Sequence, residues 1–386
     1  MSEWKEYRFS DFVLMNPTVK LPANEQVSFV EMKDLENGKR YCYPSSTRLN
    51  SSGAKFENRD TLFARITPCL ENGKICQVKG LKNGVGLGST EFLVFRGKPN
   101  VSDTDFVFYL SRWDEVRSHA EINLDGTSGR QRVPKECFNE LILNLPKSLT
   151  EQKSIASILS SLDDKIDLLH RQNATLEKMA ETLFRQWFVE EAKADWEIKP
   201  LGSLVTVKRG GSPRPIQDYL SDTGLRWLKI SDATKENSPY IFEIKEHIKI
   251  EGLNKTTHLK AGTLVLSNSA TPGIAKILQV DTCIHDGWLH FPKSHFSNEF
   301  LYLLFKKIRP ELLQQGNGSI FTNLKTDILK EYPIPIPDNE SLLFFDNQVK
   351  PIFNKILKNQ IQIRTLTALR DTLLPKLMSG ELIIDN

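Results

Sequence analysis

The sequence has no long hydrophobic run, and this absence excludes a large class of proteins. No apolar stretch approaches the roughly 18 to 20 residues that a membrane-spanning helix needs, and the opening MSEWKEYRFS lacks the apolar core of a signal peptide. We therefore expect a cytoplasmic protein without a membrane partner. Cysteine is also scarce: the five cysteines have neither zinc-ligand spacing nor the spacing of a secreted disulfide scaffold, which predicts reduced, structural thiols.

Familiar catalytic motifs are missing too. There is no Asn-Pro-Pro-aromatic methyltransferase loop, the nearest approach being MNPTV around Asn16, and no G-x-x-x-x-G-K-[ST] phosphate loop. We expect neither a catalytic site nor a metal or cofactor. The best enzymatic alternative is a magnesium-dependent nuclease that uses Asp232, Glu243 and Lys245, because carboxylates beside a lysine can hold a metal ion and position water. Such triplets arise often by chance in a chain with 26% charged residues.

The composition is that of a folded protein with more than one domain. The chain has 386 residues, of which 39% are hydrophobic, enough for two or three domains that each bury a core. The formal net charge is only +3. This charge permits nucleic-acid binding without demanding it, because nucleic-acid binders concentrate charge on one face.

The sequence is an internal repeat with a shift of about 190 to 200 residues. The clearest match aligns DTLFARITPCLENGKICQV, from Asp60, with GTLVLSNSATPGIAKILQV, from Gly262. Each half continues with an amphipathic helix, for which Asp103 and Ser297 are reasonable N-caps, then a glycine-rich loop and a short strand that ends on proline. The first amphipathic helix is expected to run through Trp113.

Each half ends in a long helical stretch with one apolar stripe at heptad spacing. In the first stretch the stripe consists of Ile155, Leu159, Leu162, Ile166, Leu169, Asn173, Leu176, Ala180, Leu183 and Trp187. A shift of 190 gives the second stripe, which consists of Phe345, Val349, Ile352, Ile356, Asn359, Ile363, Leu366, Arg370, Leu373 and Leu377. The simplest way to bury both stripes is to pack the helices against each other, and a two-fold relation of the halves makes that pair antiparallel.

End-to-end alignment of the stripes makes the numbers of every facing pair sum to 532, which places Asn173 opposite Asn359. A buried polar pair there would fix the register of the coiled coil. The alternative is a shifted register with both asparagines exposed. The same alignment sets Leu162 against Arg370, whose charge is expected to snorkel to solvent. At about 1.5 Å per residue the first stripe spans roughly 48 Å, more than one turn of DNA.

The chain resembles type I restriction-modification specificity subunits over essentially its whole length. The sequences of the long helices carry the clearest part of this resemblance. The segment EQKSIASILSSLDDKIDLLHRQNATLEKMAETLFRQWF, from Glu151, is similar to the central helix of that family, and LTALRDTLLPKLMSGEL, from Leu366, to its C-terminal helix. The segments GGSP, LRWLKISD and TDILKEYPIPIP resemble its target-recognition segments, although the first half lacks a GGSP-like loop.

The resemblance implies an α+β protein with two similar target-recognition domains and two long helices that form an antiparallel coiled coil, in a pseudo-two-fold internal repeat. We expect the domains at residues 1–148 and 192–338, and the helices at 149–191 and 339–386. Each domain would read half of a split, asymmetric site in double-stranded DNA. The helices would set the unread spacer and dock two methyltransferase subunits, with restriction subunits joining through the complex. A recognition subunit whose single partner carries both cleavage and methylation fits the sequence equally well.

Loops rich in Lys, Arg, Asn and Gln are the candidate DNA contacts, because cations bind phosphates while amides and guanidinium groups reach base edges. A solvated surface loop is the alternative for each of them. In the first domain the candidates are Arg65, Lys74, Arg130, Gln131 and Arg132. In the second domain they are Lys208, Arg209, Arg214, Asn268, Lys276, Asn317 and Asn323.

Overall fold

The computed structural model of the chain describes residues 3–49, 51–127, 129–235, 237–314 and 324–384. It divides into two compact units. The N-terminal unit combines Met1–Arg171 with Ile361–Asn386, and the C-terminal unit is Gln172–Gln360. Each unit contains one mixed α/β domain and one part of each of two long helices.

The N-terminal unit is built around two mixed β-sheets. Its strands are β1 (Trp4–Arg8), β2 (Val13–Met15), β3 (Gln26–Val30), β4 (Tyr41–Cys42), β5 (Ser46–Leu49), β6 (Ala54–Glu57), β7 (Thr61–Ala64), β8 (Ile75–Val78), β9 (Val85–Gly88), β10 (Phe92–Gly97) and β11 (Ile142–Pro146). Its helices are α1 (Phe9–Phe12), α2 (Thr104–Arg112), α3 (Asp114–Ile122) and the start of α4 (Leu149–Arg185). The sheets have the strand orders β2-β10-β7-β8-β4 and β5-β3-β9-β6, and β1 pairs with β11.

The C-terminal unit has a corresponding set of elements. Its strands are β12 (Ile198–Pro200), β13 (Val205–Arg209), β14 (Leu220–Ser221), β15 (Leu225–Leu228), β16 (Tyr240–Ile241), β17 (His247–Ile248), β18 (Thr257–Leu259), β19 (Leu264–Ser267), β20 (Ala275–Leu278), β21 (Thr282–Ile284), β22 (Trp288–Ser294) and β23 (Pro333–Pro335). Its helices are α5 (Ile230–Lys235), α6 (Asn298–Gln314), α7 (Thr326–Lys330) and the start of α8 (Asn339–Met378). The end of α4 continues into a π-helical turn, Gln186–Glu190.

The two domains share one topology, which confirms the predicted internal repeat. The order β13-β22-β19-β20-β16 repeats β2-β10-β7-β8-β4, and β14-β17-β15-β21-β18 repeats the second sheet with β14 added at one edge. The parallel pairs also recur, since β3 runs parallel to β9 as β15 does to β21. The first and last strands of each domain pair in the same way, β1 with β11 and β12 with β23.

The predicted helix caps are in place, and the first predicted helix ends one residue early. The Asp103 carboxylate accepts the N–H groups of Asp105 and Phe106, and the Ser297 hydroxyl accepts that of Phe300. Trp113, the last apolar residue predicted for the first helix, is the C-cap of α2 rather than part of it. Trp113 has φ −65° and ψ 140°, an extended conformation that ends α2 and lets α3 start in a new direction.

The long helices pack antiparallel within each unit, as the heptad pattern predicts. In the N-terminal unit Ile155 and Leu159 of α4 share a core with Leu373 and Leu377 of α8. In the C-terminal unit the later part of α4 packs against the first part of α8. That core contains Leu176, Ala180, Leu183, Trp187, Phe345, Val349, Ile352 and Ile356. All twenty stripe residues are buried or half-buried. The α+β fold class with an antiparallel helix pair is therefore confirmed.

Asn173 and Asn359 lie opposite each other in the C-terminal unit. The Asn359 Nδ2 group donates to Asn173 Oδ1 at 2.9 Å, and Asn359 is only 1% exposed. The alternative with both asparagines exposed in a shifted register is therefore wrong. That this pair selects the register stays a prediction.

Arg370 does not snorkel, which corrects the expectation from the sequence. It is 3% exposed, and its Nη1 donates at 2.7 Å both to Asp163 Oδ1 and to the carbonyl of Gly38. The Tyr109 hydroxyl donates to the other oxygen of Asp163 at 2.8 Å. Burial is the largest single influence on the pKa of the Arg370 guanidinium and lowers it, but the carboxylates of Asp163 and Asp371 together outweigh burial and raise this pKa. The helix stripe alone could not reveal this partner, because Asp163 lies beside Leu162 rather than on the stripe.

Candidate DNA interface

In the N-terminal unit, three of the predicted DNA contacts lie at one edge of the domain, where Arg132 binds a carboxylate, Glu91, that the sequence did not single out. Arg65 follows β7 and donates its backbone N–H to the carbonyl of Glu91 at 3.0 Å. The Arg132 guanidinium donates from Nε to both Glu91 carboxylate oxygens at 3.0 Å, and from Nη2 to Oε1 at 2.7 Å. Gln131 is tied to the same edge by backbone hydrogen bonds with Thr67. The structure therefore brings Arg65, Gln131 and Arg132 together.

The outer part of this cluster is exposed. The side chain of Arg132 is 45% exposed and that of Glu91 is 23% exposed. Arg130 is exposed, and its carbonyl accepts a 3.3 Å hydrogen bond from Arg132 Nη1. A surface ion pair adds little to stability. Its main effect here is to fix where the guanidinium lies.

Lys74 is not part of this cluster. Its ammonium group donates to the carbonyl of Met32 at 2.8 Å, and the side chain is half-buried. Lys276, its counterpart in the repeat, is 6% exposed, and its ammonium group donates to the carbonyl of Ser238. Both lysines therefore use their charge inside their own domain. Their predicted DNA contact stays a prediction that this geometry does not favour.

In the C-terminal unit the predicted contacts Arg209 and Arg214 meet around Asp286. Arg209 donates from Nε and Nη2 to the Asp286 carbonyl, at 3.2 and 2.8 Å. Arg214 Nη2 donates to the Asp286 carboxylate at 3.2 Å, and its side chain is 80% exposed. Lys208 is exposed on β13, opposite His290. The three cations thus lie on one edge strand and the loop that follows it.

The glycines of the GGSP segment allow a close backbone approach, although to the protein itself. A Cβ on Gly210 would lie 2.2 Å from the carbonyl oxygen of His285, so only glycine fits there. Ser212 then reaches the turn and donates to Asp286 Oδ1 at 2.8 Å. This hydrogen bond is the main reason why the pKa of Asp286 is lowered, with smaller contributions from His285 and Arg214. Asp286 is therefore held as a carboxylate.

The asparagine candidates divide into one buried residue and two that cannot be placed. Asn268 is 2% exposed, and its Oδ1 is buried with no hydrogen-bond partner among the described residues. Its backbone N–H donates to the carbonyl of Gly287 at 2.9 Å. Asn317 and Asn323 lie outside the described residues. A base contact by any of the three stays a prediction.

Sequence reasoning missed Glu91 and Asp286, although an alignment signal was present. Residues 89–91 fill the turn from β9 to β10, and residues 285–287 fill the turn from β21 to β22. The two turns occupy the same place in the repeat. The first residue after β7 or β19 donates its N–H to the last residue of the turn, Arg65 to Glu91 and Asn268 to Gly287. Acidic residues in this turn could therefore have been selected by extending the alignment of the halves.

The nuclease alternative finds no assembled site. The Asp232 carboxylate accepts the backbone N–H of Lys229 at 3.0 Å, at the start of α5. Among the described residues, no group of three or more His, Cys, Asp or Glu side chains could hold a metal ion. In that part of the chain, none of the helices combines the length and apolar content that a membrane crossing requires.

Comparison with known proteins decides the family. The family described as type I restriction modification DNA specificity domain matches the chain twice, at residues 1–178 and 193–368. The chain belongs to this family. Members of it are non-catalytic subunits that recognise DNA sequences, here with two domains in tandem, and they work with the other subunits of type I complexes. The predicted specificity subunit is thereby confirmed.

Individual relatives agree over most of the chain. The type I restriction enzyme HindI specificity subunit of Haemophilus influenzae is 26% identical, over 99% of this chain and 100% of its own. The MjaIX specificity subunit of Methanocaldococcus jannaschii is 26% identical, over 73% of this chain and 70% of its own. The crystal structure of the type I S subunit from M. genitalium covers 100% of this chain and 97% of its own, with a TM-score of 0.61 and 15% identity. That last likeness concerns the fold alone.

Proposed function

We propose that each domain reads one half of a bipartite, asymmetric site in double-stranded DNA. In this proposal residues 1–148 and 192–338 are the target-recognition domains. Residues 149–191 and 339–386 form the helices that set the unread spacer and dock two methyltransferase subunits, through which restriction subunits join. Because the proposed ligand is double-stranded DNA, we infer that the complex acts in the cytoplasm.

The observation that carries this proposal is a repeated frame with unlike loops. The strand order is the same in both domains, but the cations held at the equivalent turn come from different segments. Arg132 comes from the glycine-rich loop before β11, whereas Arg209 and Arg214 come from the end of β13 and the loop after it. Two readers with one frame and different side chains at the reading edge favour two different half-sites.

The same geometry favours five of the predicted DNA contacts. These five residues are exposed on the loops around the two equivalent turns, and they are Arg130, Arg132, Lys208, Arg209 and Arg214. Arg65 and Gln131 lie at the same edge and are half-buried. We assign Arg130, Lys208 and Arg214 to phosphates, because flexible, exposed cations bind the DNA backbone without reading its sequence.

Methylation mapping of cells that carry the complete system tests the function. We expect a motif of two specified parts around an unspecified gap. The double variant Arg130→Ala/Gln131→Ala should weaken methylation several-fold because it impairs DNA binding by the N-terminal domain. The double variant Lys208→Ala/Arg214→Ala should do the same because it impairs DNA binding by the C-terminal domain. Each lost phosphate contact should also lower the salt dependence of binding, by a log-log slope of about 1.

Matched control variants are Lys147→Ala and Lys199→Ala, surface cations whose ion pairs with Glu3 and Glu197 lie outside the loops and outside the long helices. They should leave both the motif and the salt dependence unchanged. A contiguous motif would contradict the proposal, as would loop variants that behave like the controls. The copurifying chains separate the two assemblies, since separate modification and restriction subunits indicate type I and one large partner indicates the fused form.

A further inference from the structure

The turns before β10 and β22 each hold the same edge of an arginine. In the N-terminal domain, Arg132 directs its Nε and Nη2 at the carboxylate of Glu91. In the C-terminal domain, Arg209 directs its Nε and Nη2 at the carbonyl of Asp286. The two arginines reach the turn from different segments, so the shared geometry does not follow from the internal repeat of the sequence alone.

Holding this edge leaves the Nη1–Nη2 end of each guanidinium pointing away from the turn. For Arg209, no hydrogen bond from Nη1 is found within the described residues. For Arg132, Nη1 has one long contact, to the carbonyl of Arg130 at 3.3 Å. Both arginines are exposed residues. Two parallel N–H donors in this arrangement match the O6 and N7 acceptors of guanine in the major groove.

An arginine that is held in place before DNA binds is better suited to recognising a base than to binding phosphates nonspecifically. A free arginine loses side-chain entropy when it docks, whereas one whose edge is already bonded loses less. A carboxylate beside DNA would normally repel phosphates, but the Glu91 charge is neutralised by Arg132 at 2.7 Å. Asp286 is likewise paired with Arg214 and bonded to Ser212.

We propose that the Glu91 carboxylate and the Asp286 backbone carbonyl aim Arg132 and Arg209, and that each arginine reads a guanine in its own half-site. The proposal rests on the proposed function, in which the two domains read separate half-sites. It adds a base identity to each half and assigns a positioning role to Glu91 and to the turn at Asp286. Arg214, held by one bond at 3.2 Å, remains a phosphate contact.

The test uses the complete methyltransferase complex on duplexes that carry its mapped motif. Each guanine is replaced in turn by 7-deazaguanine, which lacks N7, or by inosine, which keeps both N7 and O6. For one guanine in each half-site we expect 7-deazaguanine to slow methylation about 10- to 100-fold and inosine to have little effect. Arg132→Ala should abolish this difference in one half-site, and Arg209→Ala in the other.

The positioning role is tested in the same assay by Glu91→Gln, which keeps the shape of the side chain and removes its charge. It should reduce discrimination at the Arg132 guanine, leave the other half-site unchanged and have no added effect in the Arg132→Ala background. At the second turn Arg209 binds the Asp286 backbone carbonyl, which Asp286→Asn keeps. We therefore expect Asp286→Asn to keep the discrimination at the Arg209 guanine, and a loss as large as that of Arg209→Ala would contradict the assignment to the carbonyl.

Glu3→Gln, which removes the surface pair with Lys147, is the matched control and should change no base preference. If the motif is bipartite but no guanine is sensitive to loss of N7, the inference fails and the proposed function stands. The same holds if Glu91→Gln slows methylation equally for every duplex, because a merely structural role would do that. If no bipartite motif exists, the proposed function itself fails.

Discussion

The buried pair of Arg370 and Asp163 shows how one side chain in a helix stripe can depend on a neighbour outside it. Both residues are at most 3% exposed, and Asp163 also accepts the hydroxyl of Tyr109. Arg112 lies close enough that burial and the charge of Arg370 lower its pKa. Asp163 is therefore the buried carboxylate that compensates this cationic region of the N-terminal unit, while the exposed Asp371 binds Arg370 from the same helix.

Removal of that carboxylate should be costly. We expect Asp163→Asn to lower the free energy of unfolding by about 3 kcal/mol, because it removes the buried carboxylate from Arg370 and leaves only Asp371, whose side chain is 57% exposed, as a counter-charge. Urea denaturation of the purified chain measures the change. Asp167→Asn, which removes an exposed pair with Arg171 on the same helix, should cost less than about 1 kcal/mol. Equal losses in the two variants would show that the buried pair has no special weight.

The sequence predicted the cationic side chains of the candidate DNA interface better than it predicted the residues that bind them. Arg132 and Arg209 were selected because long donors stood beside glycines, but Glu91 was not, since nothing local to STEFLVF indicates which loop lies opposite it. Lys74 and Lys276 were selected by the same reasoning and are bonded inside the fold. Whether a loop cation is free or used internally depends on the tertiary arrangement, which residue type and spacing do not contain.

The helix pair is the element that the sequence specified most fully, because a heptad stripe needs only one kind of burial. The heptad spacing, together with the two-fold relation of the halves, predicted the antiparallel packing and placed Asn173 opposite Asn359. The break at Trp113 was not predictable in this way, since FVFYLSRW continues the apolar pattern and the chain turns only through one residue's ψ. The extra edge strand β14 likewise left no periodic signal in its two residues.

We expect the buried asparagine pair to make the folded protein less stable than an apolar pair at the same positions would. Asn173→Leu alone should lower the free energy of unfolding by about 1 to 3 kcal/mol, because Asn359 then lies buried without its hydrogen-bond partner. A double variant with leucine at both positions should be at least as stable as the wild-type protein. Chemical denaturation of the two variants makes the comparison. A double variant as unstable as the single one would show that the pair is not coupled.

The two-unit arrangement makes the helix pair a candidate ruler for the DNA site. We expect one heptad inserted after Gln172 in α4, together with one after Gln360 in α8, to keep the apolar stripes in register. Seven residues add about 10 Å of helix, which corresponds to roughly 3 base pairs at 3.4 Å each. Methylation mapping should then show both half-sites unchanged and a longer unread gap. Altered half-sites around an unchanged gap would rule out the ruler.

The N-terminal unit combines two segments that lie far apart in the sequence, and this affects when its core can form during synthesis. Leu377 and Met378 are fully buried in the same core as Phe9 and Phe12, and Gly380 lies against the ring of Trp4. The core of the N-terminal domain therefore cannot close until residues 377–378 have been made, whereas every residue of the C-terminal unit has been made by then. A chain that stops before Leu377 would leave unfinished the domain that was synthesised first.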